Sequence, residues 1–258
     1  MIAKTSRRIF DVLAHPHHHR WDFWRSRCNI CGRPTMFVCT VPQDRWIRAC
    51  LACRSTPKYR AIYHVLTRHF GQDPAQRLAQ GAHIYELTTT SPICRRLQAH
   101  PNYCCSAYMS DRPFGTEIRP RVWNQDLQKL SFGDGSFDIV ISSETMEHVR
   151  KPWDGFAEIA RVLKPGGVHC FTIPYRGEGP TVSRVDTSGP EDVYVLPKVY
   201  HQDPYRAVDS LVYTDYGADL PDLLRPLGFE TVEHQVLEPA YDIQDDRGPM
   251  RVFLSVKR

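Results

Sequence analysis

From His83 to the C-terminus, short apolar runs alternate with segments of helical periodicity, and this alternation constrains the fold more than any other feature of the chain. Apolar strands joined through helices bury both faces of a sheet, so the pattern predicts a doubly wound α/β fold with a seven-stranded, mostly parallel sheet. The strand candidates are HIYEL (83–87), NYCCSAY (102–108), RVWN (121–124), FDIVIS (137–142), VHCFTIP (168–174), FETVEHQV (229–236) and MRVFLSV (250–256). A helix is expected from Trp153 to Leu163, with Trp153, Phe156, Ile159, Ala160 and Leu163 on one face and Lys164, Pro165, Gly166 and Gly167 as its stop. An earlier helix, Lys58 to Phe70, places Ala61, Ile62, Val65, Leu66 and His69 at three- and four-residue steps and ends at Gly71, Asp73 and Pro74. It divides the chain into a sheet domain (80–258), a linking helix (58–79) and a smaller N-terminal part.

That N-terminal part contains Cys28, Cys31, Cys50 and Cys53 in the pattern C-x2-C-x18-C-x2-C. Two tight turns at this spacing can present four thiolates to one tetrahedral ion, and Zn2+ is the expected metal. Four thiolates leave no open position for water, so the site (28–57) is expected to be structural. A rubredoxin-like iron site and two separate redox pairs are the competing readings. Cys39 reads as a spectator, and Cys94, Cys104, Cys105 and Cys170 fall in or near strands, where cysteine behaves as a small hydrophobe. Nine cysteines arranged this way point to a reducing cytoplasm rather than a disulfide scaffold.

Residues 1–27 form a basic and aromatic arm with a short amphipathic stretch, His15, His17, His18 and His19, and then Trp21, Phe23 and Trp24, which are expected to dock it on the body. The first 60 residues hold 12 Lys and Arg against 3 Asp, so the positive charge is concentrated there although the chain carries only +4. Such a module attracts anions, RNA among them. No apolar run approaches a membrane span, and the first residues lack a secretory h-region, so the chain is expected to be unexported. The sequence assigns no oligomeric state.

The most specific stretch is LSFGDGSFDIVISSETMEHVRKPWDGFAEIARVLKPGGVHCFTIPY, residues 130–175. It resembles the second half of the cofactor domain of class I S-adenosylmethionine-dependent methyltransferases, in the branch reading FDxVxSxExxEHV, helix, RVLKPGG, strand. The resemblance implies a Rossmann-like fold and S-adenosyl-L-methionine as cofactor. It covers residues 80–175, with the last two strands matching by pattern. Ser142, Ser143 and Glu144 emerge where ligands of doubly wound sheets bind, and Glu144 and His148 share a face if residues 144–149 form a helical turn. The resemblance further places Asp126 against the adenine amine and Leu127 against its ring. Where the family carries an acidic residue followed by a Gly-x-Gly-x-Gly turn, this chain reads YELTTTSPICRRL: Glu86 keeps the acidic position, while Thr88, Thr90 and Pro92 stand in the glycine places. The loop then takes a different path or holds the cofactor through hydroxyls. At the end of the next strand, Ser106, Tyr108 or Asp111 stands where a carboxylate grips the ribose.

If the cofactor binds, methyl transfer requires alignment and removal of a proton from a hydroxyl acceptor. His148 is the first candidate base, because imidazole titrates near neutrality. An insertion at 176–218 covers the acceptor side, with Tyr200, His201, Asp203 and Tyr213 as candidate contacts and His201 as second candidate base. The polar and aromatic lining suits O-methylation of a glycan or other small molecule. The alternatives are an RNA methyltransferase gripping phosphates with the basic module, and a non-catalytic binding protein that keeps the sheet alone.

Overall fold

The computed structural model describes residues 23–39, 48–202, 209–244 and 248–258. Residues 1–22, with their histidines and Trp21, and Asp203 lie outside the described residues, as do the side chains of Phe23, Trp24 and Cys39.

Three short strands, β1 (Phe23–Arg27), β2 (Pro34–Cys39) and β3 (Arg48–Cys50), form an antiparallel sheet that carries the cysteines. The last residues of the expected arm form β1, which pairs with β2 from Phe23↔Val38 to Arg27↔Pro34. Helix α1 (Pro57–Phe70) follows, with Pro57 in its first turn and Gly71 in the left-handed conformation at its end. It packs on the main sheet and buries Ala61, Ile62, Val65 and Leu66. Asp73 caps the next helix, α2 (Pro74–Ala79), in a capping box with Gln76.

The main sheet comprises β4 (Ile84–Glu86), β5 (Tyr103–Ala107), β6 (Thr116–Arg119), β7 (Val122–Asn124), β8 (Phe137–Ser143), β9 (Leu163–Thr172), β16 (Phe229–Val236) and β17 (Met250–Lys257). Their order is β16-β17-β9-β8-β4-β5-β7-β6. β4, β5, β7, β8 and β9 run parallel, while β17 is inserted antiparallel between β9 and β16. The seven expected strands are all present, and β6 makes an eighth. It is a polar, antiparallel edge strand without the apolar run that would announce it.

Alternation along the strands sends Ile139, Ile141 and Cys170 to one face, against α1 and α3 (Pro92–Leu97), and Val140 and Phe171 to the other. There they meet Phe156 and Ile159 of α4 (Pro152–Val162) and Leu220 and Leu224 of α5 (Leu220–Leu224). Among the described residues, no helix is long and apolar enough to cross a membrane.

Much of the motif that signals the fold works at the amino edge of the parallel strands. Asp138 accepts from His83 N–H at 2.8 Å and from Lys164 Nζ at 2.7 Å, tying β4, β8 and the start of β9 together. Burial pushes its carboxyl up, but Lys164 and the His83 amide hold it below the usual range. In the Lys-Pro-Gly-Gly turn, a Cβ on Gly167 would stand 2.9 Å from the Lys164 carbonyl and 3.1 Å from that of Asp138, so only glycine fits. Arg161 donates to the Leu130 and Phe132 carbonyls and to Glu158, pinning the loop before β8.

Candidate active site and four-cysteine centre

After β4 the chain passes through α3 to β5 on one side, whereas β8 pairs with β4 on the other. The crevice outside the carboxyl ends of β4 and β8 is therefore the switch point where doubly wound sheets bind ligands. Glu86 and Ser143 end β4 and β8, and Thr88, Thr90, Asp126 and Glu144 follow strand ends on the same edge, where Leu87 N–H donates to the Ile141 carbonyl at 2.9 Å.

Glu86 is 1% exposed, and Tyr103 donates to its Oε2 at 2.6 Å while Oε1 has no hydrogen-bond partner. Burial pushes its carboxyl up to about 8, with Ser91 and Tyr103 pulling the other way. An acid whose pKa is higher folded than unfolded contributes stability that is complete below the unfolded value. That contribution is lost as pH rises through the folded value. The ligand-free protein is therefore expected to lose stability between pH 5 and 8 relative to Glu86→Gln, a gap that thermal melts of the two proteins across this range will measure.

The glycine-free loop follows a path of its own. None of residues 87–91 has a positive φ, and Thr88 Oγ1 lies 3.3 Å from Thr90 Oγ1. Ser91 then caps α3 by accepting from Cys94 N–H at 2.8 Å. The orphaned Glu86 oxygen and these hydroxyls fit the charged amino-acid end of S-adenosylmethionine better than any apolar ligand.

The other expected cofactor contacts are distributed unevenly. Asp126 Oδ1 accepts from Gln128 N–H at 2.9 Å and from its amide at 3.1 Å, and Asp126 itself stays half-buried. Leu127 is buried in the core cluster with Met146 and Phe156. Ser106 is buried within β5, its hydroxyl 2.7 Å from that of Tyr85, whereas Tyr108 beyond the strand is exposed and packs on Phe114. Ser143 Oγ lies 3.0 Å from Thr172 Oγ1.

The expected helical turn from Glu144 to His148 does not form. Glu144 sits in the left-handed region at φ 50°, and the 3-10 turn begins only at Met146 and runs to His148. Glu144 and His148 therefore share no helix face; the carboxylate beside His148 is Glu147, which sequence reasoning did not single out. It is fully buried, and its Oε1 lies 3.5 Å from His148 Nε2 and 3.8 Å from His201 Nδ1. Burial raises the Glu144 carboxyl, with Lys58 opposing and Glu147 adding to the rise.

The insertion brings His201 to this point. Its described residues form three small antiparallel ladders: β10 (Val182–Ser183) with β15 (Thr214–Asp215), β11 (Val185–Asp186) with β12 (Val193–Tyr194), and β13 (Tyr200–Gln202) with β14 (Asp209–Leu211), the last placing His201 opposite Ser210. Tyr213 N–H donates to the Glu147 carbonyl at 2.8 Å, and Tyr216 donates its hydroxyl to the Met146 carbonyl at 3.1 Å, so the insertion grips the 3-10 turn. Tyr200 is half exposed, and Tyr213 donates to Asp192 at 3.1 Å.

The four sulfurs of Cys28, Cys31, Cys50 and Cys53 lie within 4.8 Å of one another, with Cys28–Cys53 at 3.7 Å and Cys31–Cys50 at 4.0 Å. These distances exclude disulfides, and bonds of about 2.3 Å to a central tetrahedral zinc imply sulfur spacings of roughly 3.8 Å. The two turns are alike: Gly32 N–H donates to the Cys28 carbonyl at 2.8 Å and Arg54 N–H to that of Cys50 at 2.7 Å, and both donors have positive φ. The Ser55 hydroxyl stands 3.4 Å from Cys28 Sγ and 3.3 Å from Cys53 Sγ.

Residues 98–171 match the family model of a methyltransferase domain. The match begins beyond the glycine-free loop and runs from the end of α3 into β9. Over 95 residues the chain is 32% identical to a malonyl-[acyl-carrier protein] O-methyltransferase of Marinomonas sp., covering 37% of this chain and 33% of that protein. Over 39 residues it is 51% identical to an uncharacterized methyltransferase of Mycobacterium avium, 15% of each chain. The chain thus spans a third or less of the length of these relatives. In three dimensions it is similar to an S-adenosylmethionine-dependent methyltransferase of Mesorhizobium loti, with TM-score 0.44 and 17% identity over 69% of this chain and 91% of that one. A second such structure, from Listeria monocytogenes, gives TM-score 0.47 and 14% identity over 78% of this chain and 100% of that one. The sequence similarity, from β5 to β9, is thus to a methyltransferase domain.

Proposed function

We propose that this protein transfers the methyl group of S-adenosylmethionine to a hydroxyl of a glycan or other small-molecule acceptor, and that Zn2+ holds its four-cysteine module. The observation that carries the reading is one sheet edge with two chemistries: cofactor candidates around Glu86 and Asp126, and an acid with two imidazoles beside Glu144. The sulfonium supplies an activated methyl; the acceptor oxygen forms the new O–C bond as the C–S bond breaks and sulfur keeps the electron pair. The chain must then align the acceptor and take up its proton.

Glu86, through its unpartnered oxygen, and the Thr88 and Thr90 hydroxyls would hold the amino-acid end of the cofactor. Ser106 and Asp126 would serve the ribose and adenine, with Leu127 backing the ring and Ser143 and Glu144 closing the crevice. His148 and His201 stand on the acceptor side, where the insertion covers them. The O-methyltransferase name of the Marinomonas relative is in keeping with a hydroxyl acceptor. The sulfur spacings, soft thiolate donors and supporting Ser55 hydroxyl favour zinc, and ligands of this kind must stay reduced, which fits the cytoplasm.

Calorimetric titration with S-adenosylmethionine tests the cofactor site. The wild type is expected to bind, and Asp126→Ala to weaken binding at least about tenfold, as expected for a lost hydrogen bond to a charged group. Folded protein that binds no cofactor at millimolar concentration would remove the enzyme reading.

A further inference from the structure

Among the described residues, only Glu147 has both side-chain oxygens buried with no hydrogen-bond partner. Such a carboxylate is costly unless a cation or a proton compensates it. Two imidazole nitrogens face it at 3.5 and 3.8 Å, beyond hydrogen-bond range, and the three ligand atoms all lie within 4.8 Å of one another.

The tautomer of His148 is set by its neighbour. Nδ1 lies 2.8 Å from the Leu211 carbonyl, which can only accept, so Nδ1 carries the proton. Neutral His148 then points the lone pair of Nε2 at Glu147. A histidine whose outer N–H is held by a backbone carbonyl and whose inner nitrogen is free is the arrangement that metal-binding histidines adopt. His201 enters from the other side, its ring perpendicular to that of His148 at 5.2 Å between centroids. Side-chain exposures of 21% for His148 and 40% for His201, against 0% for Glu147, describe a site closed behind the carboxylate and open on the imidazole side.

We propose that Glu147, His148 and His201 bind one divalent transition-metal ion, with open coordination positions facing the acceptor crevice. Two imidazoles and one carboxylate suit Mn2+, Fe2+, Co2+ or Zn2+, whereas Ca2+ and Mg2+ require a shell of oxygens. Ligand bonds of about 2.0–2.2 Å need these side chains to close by only a fraction of an ångström to an ångström. Glu144 brings a second carboxyl to the same loop, and the backbone bonds from Tyr213 and Tyr216 fix the turn that presents Glu147. The site itself does not depend on methyl transfer. Its role does rest on that reading: an ion there lowers the pKa of an acceptor hydroxyl, and His148 and His201 act as its ligands rather than as bases.

The test uses the full chain, first supplied with one equivalent of Zn2+ to fill the cysteine module, and then titrated with Mn2+ while the free ion is followed by electron paramagnetic resonance. One further Mn2+ per chain is expected. Glu147→Gln and His201→Ala are each expected to weaken it by more than about a hundredfold, since even outer partners of metal ligands contribute ten- to a hundredfold. His201 is partly exposed, so its variant keeps the fold if Glu147→Gln does not. No Mn2+ bound, or binding unchanged in His201→Ala, overturns the proposal. S-adenosylmethionine binding on the same samples separates the two ideas. Cofactor binding without Mn2+ binding removes only the ion site, whereas Mn2+ binding without cofactor binding upholds the site and removes the methyl-transfer reading.

Discussion

If Zn2+ holds the four-cysteine module as proposed, chelating it is expected to unfold the described residues 23–39 and 48–56 as a unit while the main sheet persists. Its three strands have five, six and three residues, and among the described residues its fully buried apolar side chains, apart from Cys28 and Cys50, are Ile30 and Phe37. So small a core cannot offset the entropy of ordering these residues, and four thiolates on one zinc would supply about 10–16 kcal/mol of folding free energy instead. Ile30 and Phe37 belong to the same cluster as Ile62 and Leu66 of α1, so loss of the module also uncovers that helix. Chelator titration should release one zinc per chain together with loss of the module's circular dichroism, followed at higher temperature by a separate transition of the sheet. Cys50→Ser should do the same without chelator. A metal-free protein melting in one transition at the original temperature would show that the cysteines contribute nothing to folding.

Asp242→Ala is expected to be the most damaging single change outside the cysteines. Arg60 in α1 is fully buried and donates to the carbonyls of Ser55, Arg48 and Asp242, and at 3.0 Å to Asp242 Oδ2. Arg48 of β3 meets the other carboxylate oxygen at 3.0 Å, and the Arg60 guanidinium lies 4.3 Å from the centre of the Phe37 ring. One carboxylate between β16 and β17 thus clamps module, helix and sheet together. Removing it takes the shared carboxylate away from two guanidinium groups that see little solvent, a loss of about 3–5 kcal/mol. For a chain of this size that lowers the melting temperature by roughly 10 °C or more. Arg60→Ala should cost less, since Asp242 keeps Arg48. The double variant should fall well short of the sum, because both changes break one network. Additive losses would mean that the clamp is not a coupled unit.

The parts of this molecule that could be read in advance are those where periodicity or spacing alone carries the information. Seven strands and the two long helices follow from apolar residues repeating every two or every three to four positions, because burial imposes those periods directly. The four cysteines were legible for a similar reason, since each pair is local and its turn geometry is set by its own residues. β6 was not, because Thr116, Glu117 and Arg119 on an exposed edge give no apolar signal. Nor was the division of labour within residues 130–175. Asp138, Arg161 and Gly167, which make the motif conspicuous, brace the amino edge of the sheet, whereas only the Ser143 to His148 end reaches the crevice.

Sequence alone determined that this chain would bury a twisted parallel sheet between helices and gather four sulfurs, because burial and tight turns act over a few residues at a time. Only the tertiary structure decided which acid joins the histidines. Helical spacing would pair His148 with Glu144, but the left-handed turn at Glu144 and the 3-10 turn after it put Glu147 there instead. His201 reaches it from more than fifty positions away because the insertion donates from Tyr213 and Tyr216 to the turn itself. Contacts between such distant residues depend on how whole elements dock, and no local pattern encodes them.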